Sequence, residues 1–392
     1  MSYNAGRDLG MPKKPITIAR ALLRWYDRAK RDLLWRRDPS PYRTLVSEFM
    51  LQQTVVATVE PYFARFTARF PDVASLAAAG DDDVTALWSG LGYYARARNL
   101  WRAAVAIMAE HGGAIPSSEE ALRALPGIGP YTAAAVAAIA FDARAFALDG
   151  NTMRVLARLT GERRPVDVPA TRAALHARGL AEVPRRRAGD FNQAVMELGA
   201  LVCTPRSPRC DVCPLSLGCR ARAEGRAASL PRKRPRAERP VVRVVCACIT
   251  DGAHVLVVKR RAGLLAGTWS LPEAADRGAR GRPSVARRLA EATGARVAGV
   301  AYRGAVRHVF THRDVTAELF RVDVAASGPP APDRRWVSFD GLGALGVSTF
   351  ARKTVALGVG NVGRRDDRKS RKSRTARPYE KTQKPDTEAF RP

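Results

Sequence analysis

Residues 125–151 read LPGIGPYTAAAVAAIAFDARAFALDGN, and this stretch decides the fold of the first half of the chain. Gly127 and Gly129 stand two residues apart, where the lack of a Cβ permits positive φ, and the helix-forming run 132–141 follows. We therefore predict a tight hairpin that opens into a helix. Backbone N–H groups at such a hairpin carry the positive end of the helix dipole, so they suit a phosphate. Asp149 follows soon after this hairpin. A phosphate-binding turn close to a carboxylate indicates chemistry on a nucleic-acid backbone or its sugar.

Each part of this stretch also has a purely structural interpretation. A Gly-x-Gly turn is often only a turn, and an aspartate before a helix is often its N-cap. The combination is more specific, because residues 125–133 resemble the helix-hairpin-helix of DNA base-excision glycosylases. Residues 148–151 resemble the segment that carries the catalytic aspartate of those enzymes. The resemblance implies DNA binding by Gly127 and Gly129 and a catalytic role for Asp149.

The charge of the chain indicates a polyanionic partner. The 392 residues are too many for one ordinary core, so we expect two domains plus tails. Lysine and arginine number 66 against 37 acids, a net charge of +29. Residues 220–240 and 361–392 together carry +12 of this, which leaves +17 on the rest of the chain. This excess favours DNA or RNA as the partner.

The apolar and cysteine content bears on location and metal binding. No apolar run approaches the roughly 18 residues that a membrane span needs, and the N-terminus lacks a signal-peptide core. We therefore expect no membrane contact and a cytoplasmic location. In a reducing compartment, closely spaced cysteines favour a metal site over disulfides. The four candidates are Cys203, Cys210, Cys213 and Cys219, and their spacing alone fits either a structural zinc or an iron-sulfur cluster.

A second candidate acid lies in residues 44–63, which we predict to be helical with a break near Pro61. At helical spacing Glu48 shares a face with Leu45 and Leu51, so its carboxyl group stands among apolar neighbours. A lone helix glutamate is usually solvated, but desolvation here would raise the pKa of Glu48 toward that of a general acid working near neutral pH.

The surrounding sequence resembles one branch of the glycosylases. Residues 47–54, SEFMLQQT, resemble the catalytic helix of adenine DNA glycosylases of the MutY type, and so do residues 88–100, WSGLGYYARARNL. The resemblance implies that Glu48 is catalytic, that Tyr93 intercalates beside the lesion and that Gln53 wedges into the helix. Trp35 and Arg36, after a helix predicted over 16–34, could stack on a base or anchor the edge of a core.

The absence of lysine narrows the chemistry. Residues 31–232 contain none, and Tyr131 occupies the position where strand-cutting relatives carry the lysine that forms a Schiff base. Without that lysine a Schiff-base lyase lacks its nucleophile, so we predict a monofunctional glycosylase that uses water. The resemblance further implies that Tyr131 and Asn151 orient the catalytic groups and that Glu197 contacts adenine. It also implies that the four cysteines hold a [4Fe-4S] cluster.

After Pro240 the hydrophobic period changes from helical to two. We predict strands over 241–249, 254–259, 314–324 and 336–339 and a helix over 284–293. The layout resembles a Nudix fold, but Arg288 and Ala292 stand where two metal-binding carboxylates belong, so we predict recognition rather than hydrolysis. The resemblance implies that Phe310, Thr311 and His312 read 8-oxoguanine opposite the adenine.

The expected architecture is an all-α, two-lobed helix-hairpin-helix domain with a [4Fe-4S] module (15–220), a basic linker (221–240) and an α+β Nudix-like domain (241–358), with disordered residues 1–14 and 359–392. The expected function is excision of adenine opposite 8-oxoguanine or guanine in double-stranded DNA, by a monomer in the bacterial cytoplasm. Three alternatives stay open: an endonuclease III-like glycosylase-lyase, a non-catalytic DNA-binding scaffold with a redox-sensing cluster, and hydrolysis of 8-oxo-dGTP by the second domain.

Overall fold

A computed structural model describes residues 17–235, 238–276, 278–325, 328–329 and 331–360 of the chain. The predicted disordered tail, 359–392, begins too early, because Val359 is the last residue of a helix. Residues 1–14, also predicted to be disordered, and residues 361–392 lie outside the described residues. Within the described part, no helix has both the length and the apolarity that a bilayer crossing requires.

The first half of the chain is helical, as predicted. Its helices are α1 (Ile18–Ala29), α2 (Leu34–Arg37), α3 (Pro41–Leu51), α4 (Val56–Arg69), α5 (Val73–Ala77), α6 (Asp81–Leu87), α7 (Ala95–His111), α8 (Glu119–Ala124), α9 (Pro130–Phe141), α10 (Gly150–Thr160), α11 (Pro169–Glu182), α12 (Ala188–Leu201) and α13 (Arg220–Ala223).

These helices form two lobes with separate hydrophobic cores. One core contains residues of α2 to α9, and the other contains residues of α1, α10, α11 and α12 together with the cysteine segment. The extended segment between α9 and α10 joins them, because alternate side chains enter different cores. Ala145 and Ala147 belong to the first core, whereas Phe146 and Leu148 contact the second. The segment that ends at Asp149 is therefore fixed by both lobes.

Two helix predictions were wrong in their boundaries. The first helix ends at Ala29, and the aromatic-arginine pair Trp35-Arg36 lies on the separate short helix α2. The break in the second helical stretch falls between Leu51 and Val56, while α4 continues through Pro61. The cause of the break is Gln53, which has a φ of +57° that no helix residue can adopt.

The hairpin before α9 is present, but its two glycines serve different purposes. Gly127 has a φ of +72°, and a Cβ there would lie 2.3 Å from the Cβ of Asn99 on α7. Gly129 has a φ of −85° and is the N-cap of α9, with open space where its Cβ would lie. The prediction of positive φ was therefore wrong for Gly129, whose bare backbone leaves the helix N-terminus accessible instead.

The second half is an α+β domain built on one mixed sheet. Its elements are β1 (Val241–Thr250), β2 (His254–Lys259), β3 (Trp269–Ser270), β4 (Glu273–Ala275), α14 (Arg282–Glu291), β5 (Val297–Val309), β6 (Asp314–Val324), β7 (Arg334–Ser338) and α15 (Thr349–Val359). The strand order is β3-β2-β1-β6-β5, with β4 beside β1 and β7 beside β2.

The central strand pair is parallel and separates two cores. β1 and β6 run in parallel register from Val241 opposite Asp314 to Thr250 opposite Asp323. Cys246 and Cys248 are buried and face the core shared with α15, whereas Val245 and Ala247 face the core shared with α14. Helices cover both faces of the sheet, so the domain is a closed three-layer unit.

The basic segment between the domains packs on the helical domain. Ala221 and Leu230 are buried, and Arg158 donates a hydrogen bond of 2.9 Å to the carbonyl of Leu230. The N–H of Val166 donates to the carbonyl of Arg232. The chain is thus held to the second lobe well past α13, before it enters β1.

The hairpin geometry predicts a large difference between two glycine substitutions. Gly127→Ala would force a methyl group into Asn99 and strain a left-handed residue, so the free energy of unfolding should fall by about 1–3 kcal/mol. Gly150→Ala, at the first residue of α10 with no atom within 4 Å of the new Cβ, should change it by less than about 0.5 kcal/mol. Chemical denaturation of both variants measures the difference, and equal stabilities would contradict the hairpin model.

Candidate active site

The two predicted acids meet in one cleft between the lobes. This cleft has a volume of about 750 Å³, and its lining includes Glu48, Tyr131, Asp149, Asn151 and Glu197. Glu48 comes from α3 in one lobe, whereas Asp149 stands at the start of α10 in the other. A substrate in this cleft would therefore contact side chains of both lobes.

Glu48 is held in an apolar environment with one polar neighbour of known geometry. Glu48 is 5% exposed, and its Oε2 accepts a hydrogen bond of 2.8 Å from the Tyr131 hydroxyl. Burial raises the pKa of Glu48 to about 7; the Tyr131 hydrogen bond opposes this, and the nearby Asp149 charge adds to it. Burial also raises the pKa of Tyr131 well above its ordinary value, so Tyr131 remains a donor. Near neutral pH Glu48 can both hold and release a proton.

Asp149 is both a helix cap and a member of the cleft. Its Oδ1 accepts a hydrogen bond of 2.7 Å from the Thr152 N–H, and the Asp149 N–H donates one of 2.7 Å to the Thr152 hydroxyl. Its Oδ2 accepts a hydrogen bond of 3.2 Å from the Asn151 side-chain amide. The structural and functional interpretations of this aspartate thus apply together, because the capping box fixes the carboxylate at the positive end of α10.

Two residues that the sequence did not reveal hold Asp149 and Asn151 in place. Asn192 on α12 is fully buried; its Oδ1 accepts from the Ala147 N–H, and its Nδ2 donates to the Ala145 carbonyl. Arg154 donates to Asn151 Oδ1 at 2.8 Å and to the Cys203 carbonyl at 2.7 Å. The Arg154 contact fixes which side of the Asn151 amide faces Asp149, and it links the site to the cysteine segment.

The far wall of the cleft carries a buried acid between two arginines. Glu197 on α12 is 1% exposed, and its carboxylate pairs with Arg31 Nε at 2.9 Å and Arg36 Nη1 at 2.8 Å. Trp35 lines the same wall, with its ring edge-on to Phe63. Arg31 was missed from the sequence, because it lies in the short break between two helices where nothing in the pattern marks it.

Gln53 and Tyr93 line a second cleft, which lies between the two domains and has a volume of about 460 Å³. Both residues have left-handed backbones, with φ of +57° and +48°, a conformation that residues other than glycine seldom adopt. The buried guanidinium of Arg96 donates to the carbonyls of Phe49, Met50 and Gln52 and thereby holds the turn that carries Gln53. Arg96 also donates to the carbonyls of Leu91 and Gly92, just before Tyr93, so one guanidinium supports both turns.

The predicted recognition loop reaches the same cleft from the second domain. Phe310, Thr311 and His312 all line it. The Phe310 ring packs on His308 and Phe350, with centroid distances of 4.5 and 5.8 Å, so it anchors the loop. The Thr311 hydroxyl lies 2.6 Å from the Tyr93 hydroxyl, in a hydrogen bond that joins the two domains.

The four cysteines of the 203–219 segment surround one small pocket together with Arg158. In the described residues, no three Cys, His, Asp or Glu side chains close around a single metal ion. Four thiols around a shared pocket are the donor set of a [4Fe-4S] cluster as well as of a tetrahedral zinc. Arg158, 1% exposed, donates to the Cys203 sulfur at 3.2 Å. The donor set therefore fits a [4Fe-4S] cluster held by Cys203, Cys210, Cys213 and Cys219.

Comparisons with known proteins agree with this architecture. Residues 46–176 match the model of the HhH-GPD superfamily of base excision DNA repair proteins, residues 203–216 match the iron-sulfur binding domain of endonuclease III, and residues 244–357 match the NUDIX domain. The predicted two-domain fold and the iron-sulfur cofactor are confirmed.

Two relatives match most of this chain, and a third matches about half of it. An adenine DNA glycosylase of Rattus norvegicus is 35% identical over 399 positions, which cover 86% of this chain and 77% of that protein. The adenine DNA glycosylase of Homo sapiens is 34% identical, with 91% of this chain and 76% of that protein covered. That of Mycolicibacterium smegmatis is 46% identical over 205 residues, 52% of this chain and 69% of that protein. With its two acids in one cleft, its cysteine segment and its second domain, this chain belongs to the adenine DNA glycosylase family.

Proposed function

We propose that this chain is a monofunctional glycosylase that hydrolyses the N-glycosidic bond of adenine in double-stranded DNA where adenine is mispaired with 8-oxoguanine or guanine. The observation that carries the proposal is the cleft in which Glu48, with a pKa of about 7, faces the same space as Asp149. One acid that can donate a proton and one fixed carboxylate are the pair that glycosidic cleavage requires.

In the proposed reaction, the adenine leaves the base stack and enters the cleft, because its glycosidic bond is out of reach inside the duplex. Protonated Glu48 transfers its proton to N7 of the base, and the bond between the base and C1′ then breaks with its electron pair going to the base. The Asp149 carboxylate stabilises the positive charge that develops on the sugar. Water attacks C1′, and its proton returns to Glu48. Asn151 and Tyr131 orient the two acids through the hydrogen bonds that they donate.

The same proposal assigns roles to the surroundings of the cleft. The open N-terminus of α9 at Gly129, with Gly127 in the turn, would hold a backbone phosphate. Glu197, with Arg31 and Arg36 on its carboxylate, and Trp35 would bind the adenine edge and face.

The opposing base would be read in the second cleft. Tyr93 and Gln53 would fill the gap left by the extruded base. Thr311 would contact the base that remains in the duplex, from a loop anchored by Phe310 and flanked by His312. Because a single chain carries both clefts, we propose that it acts as a monomer, on DNA in the bacterial cytoplasm, with residues 241–358 as the reading domain.

A glycosylase-lyase is the second candidate, and one observation bears on it. Tyr131 provides no amine, but Lys30 lines the cleft, with its ammonium 5.6 Å from the centre of the Tyr26 ring. Borohydride would trap a Schiff base between this lysine and the sugar. We expect no covalent adduct; an adduct that Lys30→Ala removes would establish the lyase.

Substitution of Glu48 tests its role as the proton donor. Glu48→Gln removes the transferable proton, so single-turnover release of adenine opposite 8-oxoguanine should fall by roughly 10²–10⁴-fold. Release is measured by alkaline cleavage of abasic sites in duplexes carrying adenine opposite 8-oxoguanine, guanine or thymine. Glu110→Gln, an exposed glutamate on α7, should keep the wild-type rate. Wild-type activity of Glu48→Gln, or no release opposite 8-oxoguanine by the wild type, would refute the proposal.

The rate of adenine release should depend on pH through the protonation of Glu48. Because Glu48 must be protonated to act, the rate should be level at acid pH and fall by about tenfold per pH unit above about pH 7. The Tyr131 hydrogen bond lowers the pKa of Glu48, so Tyr131→Phe should move this alkaline fall to higher pH while it reduces the maximal rate.

The control for the pH profile is Tyr42, a buried tyrosine that lies on α3, the helix of Glu48. The Tyr42 hydroxyl donates to the Phe70 carbonyl at 2.8 Å, away from the cleft. Tyr42→Phe should therefore leave the alkaline fall unchanged. A profile that moves equally in both variants would mean that Tyr131 does not act on Glu48.

A further inference from the structure

We propose that the contact between the two domains, centred on Asp82 and Gly346, is a specificity-determining element that holds Thr311 against Tyr93. This inference rests on the proposed reading of the opposing base in the second cleft. Neither Asp82 nor Gly346 lines either cleft. They would act as positioning residues: from outside the second cleft, they would hold Thr311 and Tyr93 where these meet the opposing base.

Asp82, in the first turn of α6, gathers donors from three strands of the second domain. Its Oδ1 accepts from Lys259 Nζ at 2.8 Å and from Trp269 Nε1 at 3.1 Å, and its Oδ2 accepts from Arg335 at 2.9 Å. Trp269 is fully buried, and the Arg335 guanidinium stacks on its ring at 4.5 Å. One carboxylate of the helical domain therefore fixes β2, β3 and β7 at once. The side chains of Asp82 and Lys259 are about three-quarters buried, so this contact is screened less than a surface ion pair.

A close backbone approach lies beside this carboxylate. A Cβ at Gly346 would lie 2.6 Å from the Thr85 hydroxyl, which leaves no room for any side chain there. The next carbonyl, that of Val347, accepts hydrogen bonds from Ser89 at 2.8 Å and from Tyr94 at 3.0 Å. The backbone N–H of Trp269 donates to the Gly346 carbonyl, while the indole N–H of Trp269 donates to Asp82. The close approach at Gly346 and the Asp82 contact therefore form one unit.

Both ends of the Tyr93–Thr311 hydrogen bond are tied to this unit. On the helical side, Tyr93 directly precedes Tyr94, whose hydroxyl binds Val347. On the other side, Val347 leads into α15, where Phe350 packs on Phe310 next to Thr311. Tyr93 and Thr311 are themselves exposed, and a hydrogen bond between exposed side chains stabilises little unless its supports are fixed. The domain contact supplies that fixation.

Two substitutions disturb the contact without altering either cleft. Asp82→Asn removes the charge that gathers the three donors, and Gly346→Ala inserts a methyl group against Thr85. Each has a matched control: Asp83→Asn removes an exposed charge from the same helical turn, and Gly343→Ala adds a methyl group with no atom within 4 Å.

The experiment compares single-turnover release of adenine opposite 8-oxoguanine with release opposite guanine. In Asp82→Asn and Gly346→Ala, the ratio of the two rates should fall by about fivefold to tenfold, the value of one well-formed hydrogen bond, and in the controls it should stay within about twofold of wild type. General destabilisation would lower both rates together and leave the ratio unchanged. In the same variants without DNA, amide hydrogen exchange at residues 309–313 should become faster.

The outcomes separate this inference from the proposed function. A wild-type rate ratio and wild-type exchange in both interface variants would overturn the inference, and so would an equal fall of the ratio in the controls. If the wild-type protein does not distinguish 8-oxoguanine from guanine, the proposed reading of the opposing base fails. In that case the exchange rates alone decide whether the contact positions the Thr311 loop.

Discussion

The candidate site depends on keeping one carboxyl group out of water. Glu48 lies on a helix whose buried apolar residues belong to the first core, and burial is the largest cause of the raised pKa of Glu48. An exposed glutamate would be ionised at neutral pH and could not donate a proton. The Tyr131 hydroxyl limits the effect, because its hydrogen bond stabilises the charged form and lowers the pKa of Glu48.

The second acid is controlled by geometry rather than by burial. The backbone that leads to Asp149 is pinned by Asn192, the carboxylate is oriented by the capping box, and Asn151 is oriented by Arg154. Each of these bonds comes from α10 or α12, both in the second lobe. The distance between the two acids is therefore set by how the lobes pack, and the alternating segment 145–148 joins both cores.

Sequence reasoning found the groups that are proposed to act on the substrate, and it missed several groups that hold them in place. Glu48, Asp149 and the four cysteines stand in local patterns, namely helical spacing, an Asp-Gly-Asn turn and cysteine gaps, whereas the roles of Tyr131 and Asn151 followed from the family resemblance. Arg31, Asn192 and Arg154 were missed because their partners lie between 3 and 166 positions away, and polar residues inside helices resemble surface residues. The strand β5 escaped prediction for a related reason: it is mostly exposed, so its hydrophobic period is weak.

Arg158 shows why the cysteine segment and the basic segment after it belong to the same structural unit. Its guanidinium is buried, yet its hydrogen bonds go to the neutral carbonyls of Cys203, Thr204, Pro205 and Leu230 and to the Cys203 sulfur. Among the described ion pairs none compensates this charge, and a buried cation without an anion is costly. Thiolates that bind a cluster supply the missing negative charge. Because the same guanidinium holds the Leu230 carbonyl, a bound cluster would also stabilise the point where the chain leaves the helical domain for the second.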